Sequence, residues 1–269
     1  MIRKYPLFSY LIITFTFMWS MALIGIVLKL PFSHPLMISG FIIGAFIPTI
    51  SAIIVTCLID GKTGLINLFK KFLIWKNSFF WYFIALSPVI ISFIIGIIYC
   101  IYSDSYHENN NRTIINAIIL FLLTLIPGPI SEEAGWRGFA LEKLLLKYNG
   151  LLSGIILGLI WGLWHLPLFF ITGSPQYDLS FLYFMLQIIS ITIFHTWLYI
   201  NSRKSLLLMV ILHWSMNFGS SLIIGYFSLI PGPLFFKIFS ICYALLALIV
   251  IIINGPSLSK HFQYKYDIV

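Results

Sequence analysis

The chain has 269 residues, 60% of them hydrophobic and 9% charged, with a mean hydropathy of +1.01. A water-soluble domain carries about a quarter charged residues, so this composition excludes a globule coated by water and points to an integral membrane protein. The net charge of +8 comes from scattered residues and not from a run long enough to face phosphates, which argues against a nucleic-acid partner and for the lipid bilayer.

A bilayer core of about 30 Å takes roughly 20 apolar residues in a helix. Apolar runs near 8–30, 36–59, 79–101, 114–131, 151–172, 181–200, 205–225 and 234–253 meet that length. They predict an all-α bundle of about eight transmembrane helices. Met1-Ile-Arg-Lys4 before the first run resembles the start of a signal peptide, but the run continues to about Leu30 without a small-residue cleavage site, so it reads as a span that stays. Pro31-Phe-Ser-His-Pro35, Ser103 to Thr113, Gly173-Ser-Pro175 and Pro231-Gly-Pro233 punctuate the spans. Three units follow: 1–113 with three spans, 114–225 with four, and 226–269 with the last span and a basic tail.

Lys and Arg fall unevenly on alternate connections. Arg3, Lys4, Lys62, Lys70, Lys71, Lys76, Lys143, Lys147, Arg203, Lys204, Lys260 and Lys265 lie on one side, against Lys29, Arg112 and Lys237 on the other. By the positive-inside rule both termini are expected in the cytoplasm. The Ile-, Lys- and Asn-rich composition suits a low-GC bacterium, so a bacterial plasma membrane is expected. Asn111-Arg-Thr113 matches a glycosylation sequon too short to carry weight. Cys57, Cys100 and Cys242 have neither paired nor metal-type spacing.

Asp60, Asp104, Glu108, Asp178 and Asp267 fall in expected loops or the tail, whereas Glu132 and Glu133 follow the fourth apolar run directly. Ionisable groups at membrane depth are costly and call for partners or a function. Glu133 and Arg137 are four apart and can pair on one helical face. Glu132 points about 100° away from Glu133 and lacks that partner, which suits a general base. Pro127-Gly-Pro129 is expected to break the helix and open a wet cavity beside Glu132. His165, and His213 with Asn217 four residues later, are the other rare polar groups in apolar spans. At 1.5 Å per residue from the basic side, Glu132 lies roughly 16 Å deep, His165 about 21 Å, His213 about 12 Å and Asn217 about 18 Å. His195 is left as a structural or supporting candidate; His34, His107 and His261 are assigned nothing.

Such a set can hydrolyse an amide: a carboxylate and an imidazole activate water, and a second imidazole with an amide stabilises the oxyanion. Glu132, His165 and His213 could instead hold zinc, although no His-Glu-x-x-His helix is present. No Ser or Cys stands in a nucleophile motif. A non-enzymatic membrane immunity or interaction protein that binds a bacteriocin-like peptide is a second reading. A small transporter is a third, but it predicts paired broken helices and only one break is visible.

Glu132-Glu133-x-x-x-Arg137, Trp161-x-x-x-His165 and His213-x-x-x-Asn217, in that order, resemble the three-motif signature of the CPBP family. That family takes in CAAX prenyl proteases of the Rce1 type and bacteriocin-processing or immunity (Abi) proteins. The resemblance covers about residues 115–220, with Trp161 standing where the pattern has Phe. It implies an intramembrane endopeptidase, called a metalloprotease in family names, with a cavity open to the cytoplasm and a peptide or lipid-linked peptide as substrate. Glu132 and His165 would activate water, His213 and Asn217 would bind the oxyanion, and Glu133 and Arg137 would be structural or electrostatic. Trp136, Trp161 and Trp164 are expected on the cavity wall. The sequence leaves the metal, the oligomeric state and the substrate open.

Overall fold

The structure, a computed structural model, describes residues 2–103 and 113–259. Arg112, Lys260, Lys265, His107, His261, Asp104, Glu108, Asp267 and the first two sequon residues lie outside them. The described residues form helices and no strands: α1 (Pro6–Val27), α2 (Pro35–Lys70), α3 (Phe79–Ser103), α4 (Ile114–Leu125), α5 (Ser131–Gly135), α6 (Glu142–Leu145), α7 (Gly150–Trp164), α8 (Phe181–Asn201), α9 (Leu206–Ser221) and α10 (Gly232–Asn254). Eight helical stretches among them are long and apolar enough to cross a bilayer. Ile94, Ile98, Leu245, Leu248 and Ile252 are among many large apolar side chains at least half exposed. An apolar exterior around a core holding Glu, Arg and His is the arrangement lipid demands, since polar groups must be satisfied inside.

Two spans differ from the runs read in the sequence. The second continues well past residue 59: Pro35–Leu73 is 39 residues long, interrupted at Gly61, where φ is 60° and ψ −152°. The fourth does not stop at 131. Ile114–Leu145 is one interrupted span of 32 residues, in which α4, α5 and α6 are joined by π-helical turns at Ile126–Ile130 and Trp136–Leu141.

Contacts between connections fix the two ends of the bundle. At one end Phe32 N–H donates to Thr172 O at 2.9 Å and Tyr226 OH to Thr113 O at 3.2 Å. At the other, Arg203 donates to Lys76 O at 2.9 Å, Ser205 to Ile74 O at 2.6 Å and Leu151 N–H to Pro256 O at 2.9 Å. The second end carries Lys71, Lys76, Lys147, Arg203 and Lys204, and is the basic end of the sequence reading.

Close backbone contacts hold the helices that carry the polar motifs. Gly154, Gly158 and Gly162 form a stripe on α7 facing α8: a Cβ on Gly158 would stand 2.8 Å from Ile189 Cα, and one on Gly154 3.2 Å from Ile193 Cα. Small residues at this spacing let transmembrane helices approach and gain dispersion contacts. On α5, a Cβ on Gly135 would stand 2.4 Å from the carbonyl of Pro48 in α2. These two seams lock Trp161 and Glu132 into place from opposite sides.

Candidate active site

The break between α4 and α5 is backbone geometry dictated by Pro127-Gly-Pro129. Pro127 takes ψ 119° and Gly128 φ 102°, ψ −88°, a region open only to glycine at low cost. The Ser131 hydroxyl accepts from Gly128 N–H at 2.8 Å and restarts the helix. Glu132 and Glu133 therefore sit in the first turn of α5, 5% and 0% exposed.

The two carboxylates have different partners. Glu132 Oε2 accepts from the indole N–H of Trp136 at 3.0 Å and of Trp161 at 2.9 Å, while its Oε1 makes no direct hydrogen bond to the described residues. Glu133 Oε1 accepts from Arg137 at 2.8 Å and from His213 Nδ1 at 2.7 Å. The expected Glu133–Arg137 pair is present and fully buried, and the Arg137 guanidinium also lies 4.2 Å from the centre of a Trp161 ring. His213, expected to help bind an oxyanion, is tied to Glu133 by Nδ1.

Each imidazole is oriented by its Nδ1. A carbonyl or carboxylate has no proton to give, so Nδ1–H of His165 donates to Trp161 O at 2.8 Å and Nδ1–H of His213 to Glu133. In the neutral ring Nε2 is then an acceptor; it becomes a donor only in the imidazolium. His213 Nε2 and Asn217 Nδ2 both converge on Gly128, where a Cβ would meet them at 3.4 and 3.3 Å.

Glu132, Trp161, Trp164, His165, His213 and Asn217 all line one cavity of about 320 Å³, together with Pro127 and Gly128. Trp136 is a correction: it is 0% exposed and stands behind Glu132 as a hydrogen-bond donor, off the cavity wall. His195 is buried among Trp161 and His213, with ring centroids 6.4 and 6.3 Å away, and does not line the cavity either. Its Nδ1–H donates to Ile191 O.

A catalytic zinc ion takes three protein ligands. Among the described residues no group of three His, Cys, Asp or Glu side chains is placed to hold a metal ion. Glu132 Oε2 and His213 Nδ1 are committed to indoles and to Glu133, so Glu132 Oε1 and the Nε2 atoms of His165 and His213 are the donors that a zinc ion would have to take.

The cavity's lining also includes Pro175, Gln176 and Leu179 in the connection between α7 and α8. A second cavity of about 550 Å³ shares Pro175, Ser220, Ser221 and Phe236 with it and continues to Tyr226. Toward the basic end the path is filled by fully buried Trp136, Arg137 and Leu141. Beyond them Glu142 accepts from Lys71 at 3.0 Å, Lys204 at 3.1 Å and Tyr199 at 2.7 Å.

Sequence reasoning missed Glu142 and its three partners, Lys71 on the second span, Tyr199 on the sixth and Lys204 in the connection that follows it. It also missed Gln187 on α8, 4% exposed and on the cavity wall. A buried Gln in an apolar helix was the available signal. The indole donors to Glu132 left none, because nothing in a Trp codon's position says where its N–H points.

Residues 114–219 match the family model for type II CAAX prenyl endopeptidase Rce1-like proteins. The core of this chain resembles an Rce1-like protease. All six polar motif residues lie in the Rce1-like region. A curated relative, CAAX prenyl protease 2 of Methanococcus maripaludis, is 38% identical over 111 residues. That match covers 39% of this chain and 40% of the relative's length.

Proposed function

We propose that this protein is an intramembrane endopeptidase that hydrolyses a peptide bond with water activated by Glu132 and His165. The observation that carries the reading is the division of labour around one cavity. Glu132 offers an uncommitted oxygen and His165 an acceptor Nε2, while His213 Nε2 and Asn217 Nδ2 converge on a single spot beside Gly128. The Rce1-like match over residues 114–219 supports it.

In this mechanism a water held by Glu132 and His165 gives up a proton as its oxygen attacks the scissile carbonyl carbon. The oxyanion that forms is met by Asn217 Nδ2–H and by Nε2–H of a His213 imidazolium. Glu133, 2.7 Å from Nδ1, keeps that ring oriented and offsets its charge. The proton taken from water then passes to the leaving amine as the C–N bond breaks. Residues 114–225 form the catalytic core, in a multi-pass protein of a bacterial cell membrane with both termini cytoplasmic. Substrates are peptides or lipid-linked peptides.

Purified protein in detergent, assayed on a quenched fluorescent peptide library, tests the reading. General acid–base groups contribute typically 10²–10⁴-fold and an oxyanion donor about 10²–10³-fold. Glu132→Ala and His165→Ala should each lower kcat/KM by at least about 10²-fold, with Asn217→Ala acting on kcat more than on KM. Wild-type turnover in the Glu132 and His165 variants would sink the assigned roles, and a protein that protects cells from a bacteriocin without Glu132 would favour a binding function.

A further inference from the structure

We infer that Arg137, Glu133 and His195 enclose a bound water molecule behind the catalytic cavity, and that His195, acting through this water, is a positioning residue for the proposed hydrolysis. The water site rests on hydrogen-bonding geometry alone; the word positioning rests on the protease reading.

Unmatched polar atoms carry the inference. Arg137 gives Nη1 to Glu133 Oε1, but its Nε and Nη2 have no hydrogen-bond partner among the described residues, and neither do Glu133 Oε2 and His195 Nε2. All three side chains are 0% exposed. Buried polar groups in folded proteins are paired with protein or with ordered water, and leaving a charged one unmet is the costlier case. The groups are neighbours. Glu133 and Arg137 pair on one helix, and the guanidinium lies 4.2 Å from the centre of a Trp161 ring. The His195 ring is 6.4 Å from the Trp161 ring and 6.3 Å from the His213 ring, and it interacts electrostatically with Arg137.

The chemistry of these atoms decides what can join them. Nε–H and Nη2–H form one edge of the planar guanidinium, a fork with parallel donors. Glu133 Oε2 is an acceptor. His195 Nδ1–H donates to Ile191 O at 2.8 Å, so Nε2 of the neutral ring carries a lone pair and no proton. A metal cation is repelled by the guanidinium and an anion by the carboxylate. A small neutral molecule that both accepts and donates remains, and water fits that description: a buried water makes about three hydrogen bonds, up to four. It accepts from the Arg137 fork and donates to Glu133 and His195.

The site lies behind both halves of the mechanism. Arg137 sits over Trp161, whose indole N–H holds Glu132, and Glu133 holds His213 Nδ1. A water that occupies the free edge of the guanidinium keeps it from turning away from either. His195 does not line the cavity, so it reaches the reaction only through these neighbours. A packing role alone would need the volume of the ring and not its acceptor.

The test uses full-length protein in lipid nanodiscs with isotope-labelled arginine. The Arg137 signal is the one that persists when Arg3, Arg112 and Arg203 are each replaced by Lys. A nuclear Overhauser cross-peak from Arg137 Nε–H to bound water is expected in the wild type and in His195→Gln, whose amide oxygen supplies an acceptor, and is expected to vanish in His195→Phe. Where His195→Phe does not fold, His195→Leu makes the same comparison. No cross-peak in the wild type, or one of equal strength in the apolar variant, overturns the inference. With a cleavable peptide, the apolar variant should lower kcat by roughly 10- to 100-fold with KM unchanged, and His195→Gln should retain most of kcat. Equal losses in the two variants, or a change confined to KM, overturn the positioning role. Cross-peaks that follow the expected pattern in a protein that cleaves no peptide keep the water site and remove the protease assignment.

Discussion

The neighbouring glutamates differ in what holds them, and the difference can be measured. Glu133 is a buried anion shared by Arg137 and His213; removing its charge strands a fully buried guanidinium. Breaking a buried pair from one side costs about 3–5 kcal/mol. Glu133→Gln should therefore lower the thermal unfolding midpoint in detergent sharply. Glu132→Gln should leave it nearly unchanged, because a neutral amide oxygen still accepts both indole N–H groups. Equal losses in the two variants would contradict this division. Trp161→Phe keeps an aromatic ring in place, as the related motif has, but deletes one of the two donors to Glu132. A hydrogen bond to a charged group is worth about 1.5–3 kcal/mol, so the variant should fold while losing a comparable amount of activation or stability, read as kcat and unfolding midpoint together. The six polar motif residues were legible because Glu, Arg, His and Asn are rare in apolar runs. Trp136, placed on the wall by its neighbours in sequence, is four residues on from Glu132 and spends its indole N–H on that carboxylate, a contact that no count of hydrophobic residues announces.

At the level of elements, the helices that matter are positioned by residues with no side chain. Gly158 lets α7 and α8 meet backbone to backbone. Gly158→Val forces two β-branch methyls against Ile189, and overpacking costs typically about 1–3 kcal/mol. We expect lower stability and, since Trp161 and His165 ride on the same helix, reduced activity in whatever folded fraction remains; an unaltered unfolding midpoint would argue against the seam. The eight spans could be read from hydropathy alone, with ends displaced where polar residues continue a helix. Asp60 and Lys62 hid the extension of α2, and Glu132 to Arg137 hid the continuity of the fourth span. Hydropathy reports where lipid ends, and a helix can outlast the lipid when its polar groups find partners in the protein, as Lys71 does with Glu142.

For the whole molecule, the alternation of Lys and Arg gave an orientation, but no pattern along the chain said which end of the space between helices would be filled. That depends on side chains from several spans meeting at one level, as Trp136, Leu141 and Glu142 do near Lys71, Tyr199 and Lys204 at the basic end. The distribution of packing also separates a rigid part from a loosely attached one. In α4 only Thr124 is buried, and the helix rests chiefly on α9. The backbone at Pro127 and Gly128 interrupts its hydrogen bonding to α5. Spin labels at Ile118 and Leu186 should give a broader distance distribution than labels at Leu159 and Leu186, which straddle the tight α7–α8 seam; equally narrow distributions would count against it. α4 lies over the cavity through Leu123 and Thr124, is tied at its far end by Tyr226 OH to Thr113 O, and meets the catalytic glutamates across the break at Pro127 and Gly128. The indole donors to Glu132 lie on the other side of that break, so a movement of α4 would leave the carboxylate's hydrogen bonds in place.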